Sequence, residues 1–410
     1  VSVEKDTART SSPFKGMGTK LDAAIAKGLN KITSAALAPY QAAVVRIGFA
    51  LTFAFYLLRE WPYRLDLYGT TNPWGFDLAQ RLTASNHAFT VLLWSHHRLW
   101  FELVYHGVIV ASLLLLVGWH TRTMATLFMV GVLSLMNRSI VVGDGGDTLI
   151  HLMATYLVLT RCGQVWSLDA RRRERTATPR PDGCDRVSVA LWILAGAGLA
   201  VAQATGFAKL PRGWGLILWG LWSIQALWFW AGRRRSPEAR ALLDVVANLV
   251  HNAAMLVIAA QVCLLYATAG WYKVQGIRWQ DGSALHYPLN LHYFSPWTAL
   301  SHALDSRSIM VTLITYGTVI AQVAFPFTLL NRRVKNVLLA ILITEHATIA
   351  VVCGLPFFSL AMIASDMVFL PTNALRWGGS RMAAAWDRIT APLRRSKGPG
   401  SRDEDRRVTI

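Results

Sequence analysis

The stretch VANLVHNAAMLVIAAQVCLLYAT, Val246–Thr268, followed at once by AGWYKVQGIRWQDG, Ala269–Gly282, decides the fold. The first part stays apolar over the ~20 residues that cross a bilayer core as a helix. The second part sets Lys273 and Arg278 where hydrocarbon gives way to the interface. Trp271 and Trp279 flank the lysine, and Gly270, Gly276 and Gly282 permit close packing or a turn. A lysine so placed has two readings. One is an anchor whose stem lies in lipid while its ammonium snorkels to water. The other is a desolvated amine held neutral and usable as a base.

The rest of the chain agrees with a membrane protein. Of its 410 residues, 53% are hydrophobic and 16% charged, an apolar fraction that soluble domains seldom reach. The net charge is nevertheless +18. In a soluble chain that excess points to nucleic acid. Here the basic residues cluster between apolar spans and no nucleic-acid motif accompanies them. The positive-inside rule and attraction to anionic lipid account for them, and no nucleic-acid partner is expected. Cys162, Cys184, Cys263 and Cys353 are irregularly spaced, which indicates neither a disulfide framework nor a zinc site. The N-terminus shows no short apolar region with a small-residue cleavage site, so no signal peptide is expected.

Taken in order, Val1–Phe14 is polar and expected to be disordered. From Lys20 to Ala38, Leu21, Ile25, Leu29 and Ile32 recur at helical spacing. That pattern fits an interfacial amphipathic helix or a solvated helix packed on the protein. Apolar spans follow at Ala42–Leu58, Leu99–Val117, Met124–Val142, Thr148–Leu159, Val187–Val201, Gly215–Ala231, Val246–Thr268, Met310–Leu330, Val334–Val352 and Pro356–Leu370. The expected fold class is all-α: a polytopic integral membrane helical bundle of about ten transmembrane helices. Arg171-Arg172-Arg173 with Arg175, Arg233-Arg234-Arg235, Arg332-Arg333 with Lys335, and Arg394-Arg395 with Lys397 fall on one side with the N-terminal arm. That side reads as cytoplasmic, with both termini there, in a multi-pass protein of the cell membrane. The long aromatic-rich connections, Trp61–Arg98 and Ala269–Arg307, then face outward. Their rings suit a headgroup belt or a roof over a flat apolar ligand.

Several polar groups sit where hydrocarbon is expected. Gly143-Asp144-Gly145-Gly146-Asp147 turns between the third and fourth spans, and Asp147 shares a helix face with His151 four residues on. One reading makes Asp147 a cap of the following helix, with Asp144 solvated. The other makes a carboxylate that pairs with Lys273 or Arg138, orients a base, or handles a proton. Asp144, Asp147 and His151 are also hard or borderline metal ligands, but no second ligand pair stands at a defined spacing, and no metal is expected. Arg46 fits snorkelling. Glu345, His346 and His251 lie within or near spans, where a hydrogen bond between helices or a proton path would hold them. His286 and His292 follow Lys273 in the outer loop. No Walker loop, G-x-G-x-x-G or serine–histidine–acid pattern occurs.

Residues 269–282 resemble the segment of the vitamin K-dependent gamma-carboxylase family that carries its base lysine, with Lys273 on the base position. Glu345-His346 through Gly354-Leu355-Pro356-Phe357-Phe358 to Asp366 and Pro371 resembles the last helices of that family. Asn137-Arg138 through Gly143–Asp147 to Trp166-Ser167-Leu168-Asp169 resembles its third and fourth spans. Together they resemble the HTTM domain, the transmembrane portion shared by the carboxylase and bacterial proteins such as the sporulation-delaying-protein maturation factor B group. The resemblance covers most of residues 42–372. It implies a cytoplasmic arm with its interfacial helix at 1–41, an HTTM domain at 42–372 with an added hydrophobic hairpin at 184–235, and a basic tail at 373–410.

The resemblance implies an enzyme open to the extracytoplasmic side. Neutral Lys273 would deprotonate a reduced naphthoquinone, vitamin K or menaquinol. With oxygen the quinol would yield a strong base for proton abstraction or for carboxylation with carbon dioxide. Lys273, Asp147 and His151 are the expected catalytic residues. Trp271, Tyr272, Arg278, Trp279 and Asp281 are expected to contact substrate or quinone, joined by His286, Arg138, Asp144 and His346. Departures are plain. Asp147 stands where the animal enzyme has a histidine, and the large lumenal substrate domain has no counterpart here. The expected partners are the bilayer, a quinone, and a small peptide or protein substrate. The alternatives are a membrane component of antimicrobial-peptide maturation or export, and a non-catalytic lipid-binding bundle.

Overall fold

The computed structural model describes residues 13–139, 142–175, 185–208, 210–233 and 236–395. The arm before Pro13, Cys184, Arg234-Arg235 and the tail with Lys397 lie outside the described residues. Among the described residues the regular elements are all helices. Six of them are long and apolar enough to cross a membrane: Pro39–Leu67, Arg98–Val117, Arg186–Ala204, Pro237–Gln275, Ser308–Thr328 and Arg332–Val352.

In chain order the helices are α1 (Pro13–Ser34), α2 (Pro39–Glu60), α3 (Arg64–Leu67), α4 (Phe76–Ser85), α5 (Arg98–Val117) and α6 (Thr121–Arg138). Next come α7 (Gly145–Leu159), α8 (Leu168–Arg175), α9 (Arg186–Ala204), α10 (Arg212–Arg233), α11 (Pro237–Gln275) and α12 (Ile277–Gln280). The last are α13 (His286–Asn290), α14 (Thr298–Asp305), α15 (Ser308–Ala324), α16 (Arg332–Val352), α17 (Pro356–Asp366) and α18 (Thr372–Arg395). The expected spans at Met124–Val142, Thr148–Leu159, Gly215–Ala231 and Pro356–Leu370 fall on α6, α7, α10 and α17.

Local signals set these boundaries. At α11, Ser236 accepts from the Ala239 N–H at 3.3 Å and Pro237 occupies the first turn, where its missing N–H costs nothing. At α16, the Asn331 side chain accepts from Arg333 and Val334. The 39 residues of α11 run ~58 Å at 1.5 Å per residue, nearly twice a hydrocarbon core. Asn248 and Asn252, about three to four turns into α11, hold the C-terminal end of α1. Asn252 donates to the carbonyls of Ile32 and Ala35, and Asn248 to that of Thr33. His251 is wholly buried. Its Nδ1 accepts from the Arg161 N–H at 2.9 Å, so Nε2 carries the proton and donates to the Leu37 carbonyl at 2.8 Å.

The centre of the bundle is α2, whose apolar window is 67% buried. Phe49, Phe53 and Leu57 pack there against α5, α6, α7 and α17. By contrast α9 is only 6% buried. It pairs with α10 through Trp192 and Trp222, stacked at 4.5 Å, each indole N–H donating to the other's carbonyl at 3.0 Å. This is the hairpin read as an addition. It docks at both ends, through Phe207 edge-on to Trp100 at 5.0 Å and through Ser188 on His120.

Two expectations are corrected here. The first helix begins at Pro13, taking Phe14 into it, and ends at Ser34 instead of running from Lys20 to Ala38. Arg46 does not snorkel. It is wholly buried and donates through Nη2 to the Trp166 carbonyl at 2.6 Å, because the segment after α7 folds back over it.

Candidate functional site

Lys273 lies in the last turn of α11, half-buried. Gly270, one turn earlier, brings α11 against α15: a Cβ there would meet the Val323 side chain at 2.7 Å and its backbone nitrogen at 3.1 Å. That approach puts Gln322 within reach. Lys273 Nζ donates to Gln322 Oε1 at 2.8 Å, and Gln322 Nε2 donates to Glu345 Oε1 on α16 at 2.7 Å. The second Glu345 oxygen is buried and has no partner. The Trp279 ring centroid lies 5.1 Å from the amine, within cation–π range.

The next residue, His346, belongs to a second set of bonds. The Tyr266 hydroxyl lies 2.9 Å from both Asp366 oxygens and 3.1 Å from His346 Nε2. With the hydroxyl donating to the carboxylate, His346 Nε2–H donates to Tyr266. His346 Nδ1 is then a buried acceptor without a partner. Tyr266 stands two helical turns before Lys273 and so shares its face of α11. Lys273, Gln322 and Glu345, with His346, Tyr266 and Asp366, thus tie α11, α15, α16 and α17 together through polar groups inside an apolar bundle. Such groups are costly there unless partnered, and mark functional sites by default.

Asp144 and Asp147 form a separate centre. Asp144 is the N-cap of α7 and accepts from the Gly146 and Asp147 N–H groups, while Asp147 accepts from the Asp144 N–H at 2.9 Å. This is a complete capping box. The cap is therefore Asp144, and capping accounts for both carboxylates. Neither pairs with Lys273 or Arg138. Arg138 is buried and donates to the carbonyls of Trp74 and Gly69 at 3.0 and 3.2 Å, pinning the 61–98 connection. His151 is half-buried and makes no side-chain hydrogen bond to Asp147 among the described residues. The expected set of Lys273, Asp147 and His151 is thus not one cluster.

A cavity of about 350 Å³ opens beside Asp147, lined by Tyr56, Glu60, Asp144, Tyr293 and Phe358 among others. Lys273 is not in its wall. Phe358 joins the two centres: it lines this cavity and stands edge-on to His346 at 5.7 Å between centroids. Gly146 allows this, since a Cβ there would meet the Phe358 Cα at 2.8 Å.

The remaining expected contacts spread outward. Trp271 and Tyr272 are 62% and 77% exposed, so their rings lie on the surface of the bundle. Arg278 lies over the Tyr287 ring at 4.8 Å and 3.8 Å from Asp281. Hydrogen bonds from Ser283 hold the Asp281 carboxyl below its ordinary value. His286 Nδ1 meets Asp305 at 2.6 Å, and Asn290 also donates to that carboxylate. The Asn290 bond chiefly, with His286, keeps Asp305 below the usual carboxylate range. These pairs brace the 269–307 connection.

Gln322, Tyr266 and Asp366 were not among the expected site residues. Each is a polar side chain inside an apolar run, and that signal alone would have selected them. Among the described residues no group of three or more His, Cys, Asp or Glu gathers as a metal site. Comparison with protein-family models, curated proteins and solved structures finds no match to this chain.

Proposed function

We propose that this chain is a multi-pass membrane enzyme in which Lys273 acts as a base on a weakly acidic, membrane-soluble substrate. A reduced naphthoquinone is the substrate that the carboxylase resemblance implies. One observation carries the reading. The Lys273 amine bonds a neutral amide, Gln322, and not a carboxylate, although Glu345 lies one residue further along the same chain of bonds. A direct lysine–glutamate pair would fix a proton on the amine. The intervening amide orients Nζ while leaving it free to gain or lose one.

The surroundings suit a flat amphiphilic ring. Trp279 lies against the amine, and exposed Trp271 and Tyr272 offer aromatic faces at the bilayer edge. These residues would hold the quinol. When bound, the quinol would supply the electrons that reduce oxygen, the chemistry from which the family draws its strong base. The chain's own part is smaller. Lys273 takes a proton at Nζ, Gln322 aims the amine, and Glu345 stabilises the ammonium so formed. Carbon dioxide as co-substrate rests on the resemblance alone.

The topology proposed with this activity has ten spans, including α6, α7, α10 and α17, both termini in the cytoplasm and Lys273 on the extracytoplasmic side. Basic groups support the orientation. Arg46, Arg161, Lys335 and Arg376 gather at one end of the bundle, where they contact Trp166, Asp244, Phe369 and Tyr40.

The test is mass spectrometry of lipids co-purified with the protein, followed by turnover of reduced menaquinone under air. Retention of a menaquinone and loss of turnover in Lys273→Ala and Lys273→Arg are expected. A wild-type protein free of quinone, with Lys273→Ala changing stability alone, would return the chain to a structural bundle.

A further inference from the structure

At the end of the bundle remote from Lys273, a hollow of about 80 Å³ lies between the start of α6, the turn after α7 and α8. Arg122, Arg161 and Arg173 line it. Their partners are unequal. Arg161 is committed: Nη2 meets Asp244 at 2.9 Å and Nη1 meets Asn248 at 2.7 Å. Arg173 donates to the Gly163 carbonyl through one Nη. Arg122 stacks on the Trp228 ring at 4.4 Å and has no carboxylate within ion-pair distance among the described residues. Asp169, the one carboxylate in the wall, is already spent on the cap of α6, where it accepts from the His120 and Thr121 N–H groups and the Thr121 hydroxyl.

A second feature points the same way. Gly163 and Gln164 line the hollow, and their backbone N–H groups donate no hydrogen bond to any described residue. Successive free N–H groups in a turn form an anion-binding concavity. Guanidinium forks suit phosphate oxygens better than a point charge does. Val158 and Ala125 complete the wall, and Trp228 marks the start of the apolar surface beside it. The hollow is large enough for one anionic group.

We propose that this hollow is a binding site for a phosphate group at the membrane interface, held by Arg122, Arg173 and the 163–164 turn. The headgroup phosphate of an anionic phospholipid and free inorganic phosphate share this chemistry. Basic pockets between spans bind anionic headgroups in this way. The site is independent of the Lys273 reading, since its residues lie on different elements and its test needs no turnover.

The experiment uses the full chain in maltoside micelles and native mass spectrometry. Palmitoyl-oleoyl phosphatidylglycerol, the matching phosphatidylcholine and inorganic phosphate are titrated separately. Arg122→Gln/Arg173→Gln is compared with Arg171→Gln/Arg175→Gln, which removes the same charge from the same end of the protein. Monodispersity on gel filtration qualifies each variant. If the first variant fails that check, Arg122→Lys/Arg173→Lys replaces it, keeping the charge and losing the forks. Losing two charge-assisted bonds weakens phosphatidylglycerol binding by about tenfold or more, while the control changes it less than about twofold. Phosphatidylglycerol binding without phosphate binding assigns the lipid as the source, and equal binding of both assigns the soluble anion. Equal weakening in the two variants, or wild-type protein that prefers neither anion over phosphatidylcholine, overturns the proposal.

Discussion

Tyr266→Phe isolates the polar network that joins α11, α16 and α17. The ring is 1% exposed and its contact with Phe325, 5.5 Å between centroids, survives the change. Only the hydroxyl goes. Asp366 is fully buried and has no other hydrogen-bond donor among the described residues. Hydrogen bonds between membrane helices average only ~0.6 kcal/mol, because the unfolded chain finds other partners. A buried polar group left without its partner costs more, ~1–3 kcal/mol. The second effect wins here, since no other donor reaches Asp366 among the described residues. The expected loss is about 1–3 kcal/mol.

The sharper test is a cycle with Asp366→Leu. Removing both partners leaves no orphaned carboxylate, and apolar groups of similar shape are tolerated. Tyr266→Phe/Asp366→Leu should therefore be more stable than the sum of the single changes allows, by ~1–2 kcal/mol. Unfolding in mixed dodecyl sulfate and maltoside micelles, followed by circular dichroism, measures all four proteins. Additivity within ~0.5 kcal/mol would show that the hydroxyl and the carboxylate do not depend on each other, and the network would dissolve as a unit of argument.

Further outcomes follow from the same geometry. Arg138→Met should cost ~2–4 kcal/mol, because the buried carbonyls of Gly69 and Trp74 lose a charged donor, and trypsin should then cut the 61–98 connection faster; an unchanged cutting rate refutes the pin. Asp144→Ala should cost ~1 kcal/mol through the lost cap and no more, read by the same unfolding assay. Gly270→Val drives a side chain into Val323 and should cost ~1–3 kcal/mol. It should also abolish the quinone retention proposed for Lys273, since α15 can no longer hold Gln322 in place; retention at the wild-type level would separate the lysine from its amide. Asp305 gives a pH dependence. Its carboxyl is held down in the folded loop, so the stabilisation is present above the ordinary aspartate value, ~4, and fades as pH falls through the depressed one. Pepsin should cleave the 283–307 loop progressively faster toward lower pH in this range, relative to Asp305→Asn; parallel profiles would remove Asp305 from that role.

Periodicity and hydropathy located the helices because burial in lipid acts on each segment separately. The expected spans at 42–58, 99–117, 187–201, 246–268 and 334–352 each lie within a membrane-length helix, and 310–330 overruns the helix Ser308–Thr328 by two residues. Edges were harder. α11 reaches back to Pro237 through Glu238, Arg240 and Asp244, which an apolar window excludes but a Ser-Pro cap announces. Arg46 misled for a related reason. Its place near a span end fits snorkelling, yet whether it reaches water depends on the 160–167 segment folding back, a tertiary event no window contains. Lys273 and His346 were visible as polar groups in the wrong solvent. Their partners were not, since Gln322 reaches Lys273 across 49 residues and Tyr266 reaches Asp366 across 100. Asp144 and Asp147 were seen as a pair, but which one capped the helix turned on whether Gly145-Gly146 joined it.

The separation of the two polar centres bears on how any activity must work. The cavity belongs to Asp147, and the amine belongs to Gln322 and Glu345. If the substrate ring occupied the cavity, Lys273 would stand outside its wall, with Phe358 and His346 on the cavity side. If the substrate came along the lipid face to Trp279, the cavity would stand idle and Phe358 would be packing alone. Phe358→Ala distinguishes these routes. It opens the cavity toward His346 without touching Lys273, Gln322 or Trp279. Quinone retention and turnover should be unchanged by it on the lipid-face route proposed here. A loss comparable to that of Lys273→Ala would move the reacting atoms into the cavity and make Asp147, not Trp279, their neighbour.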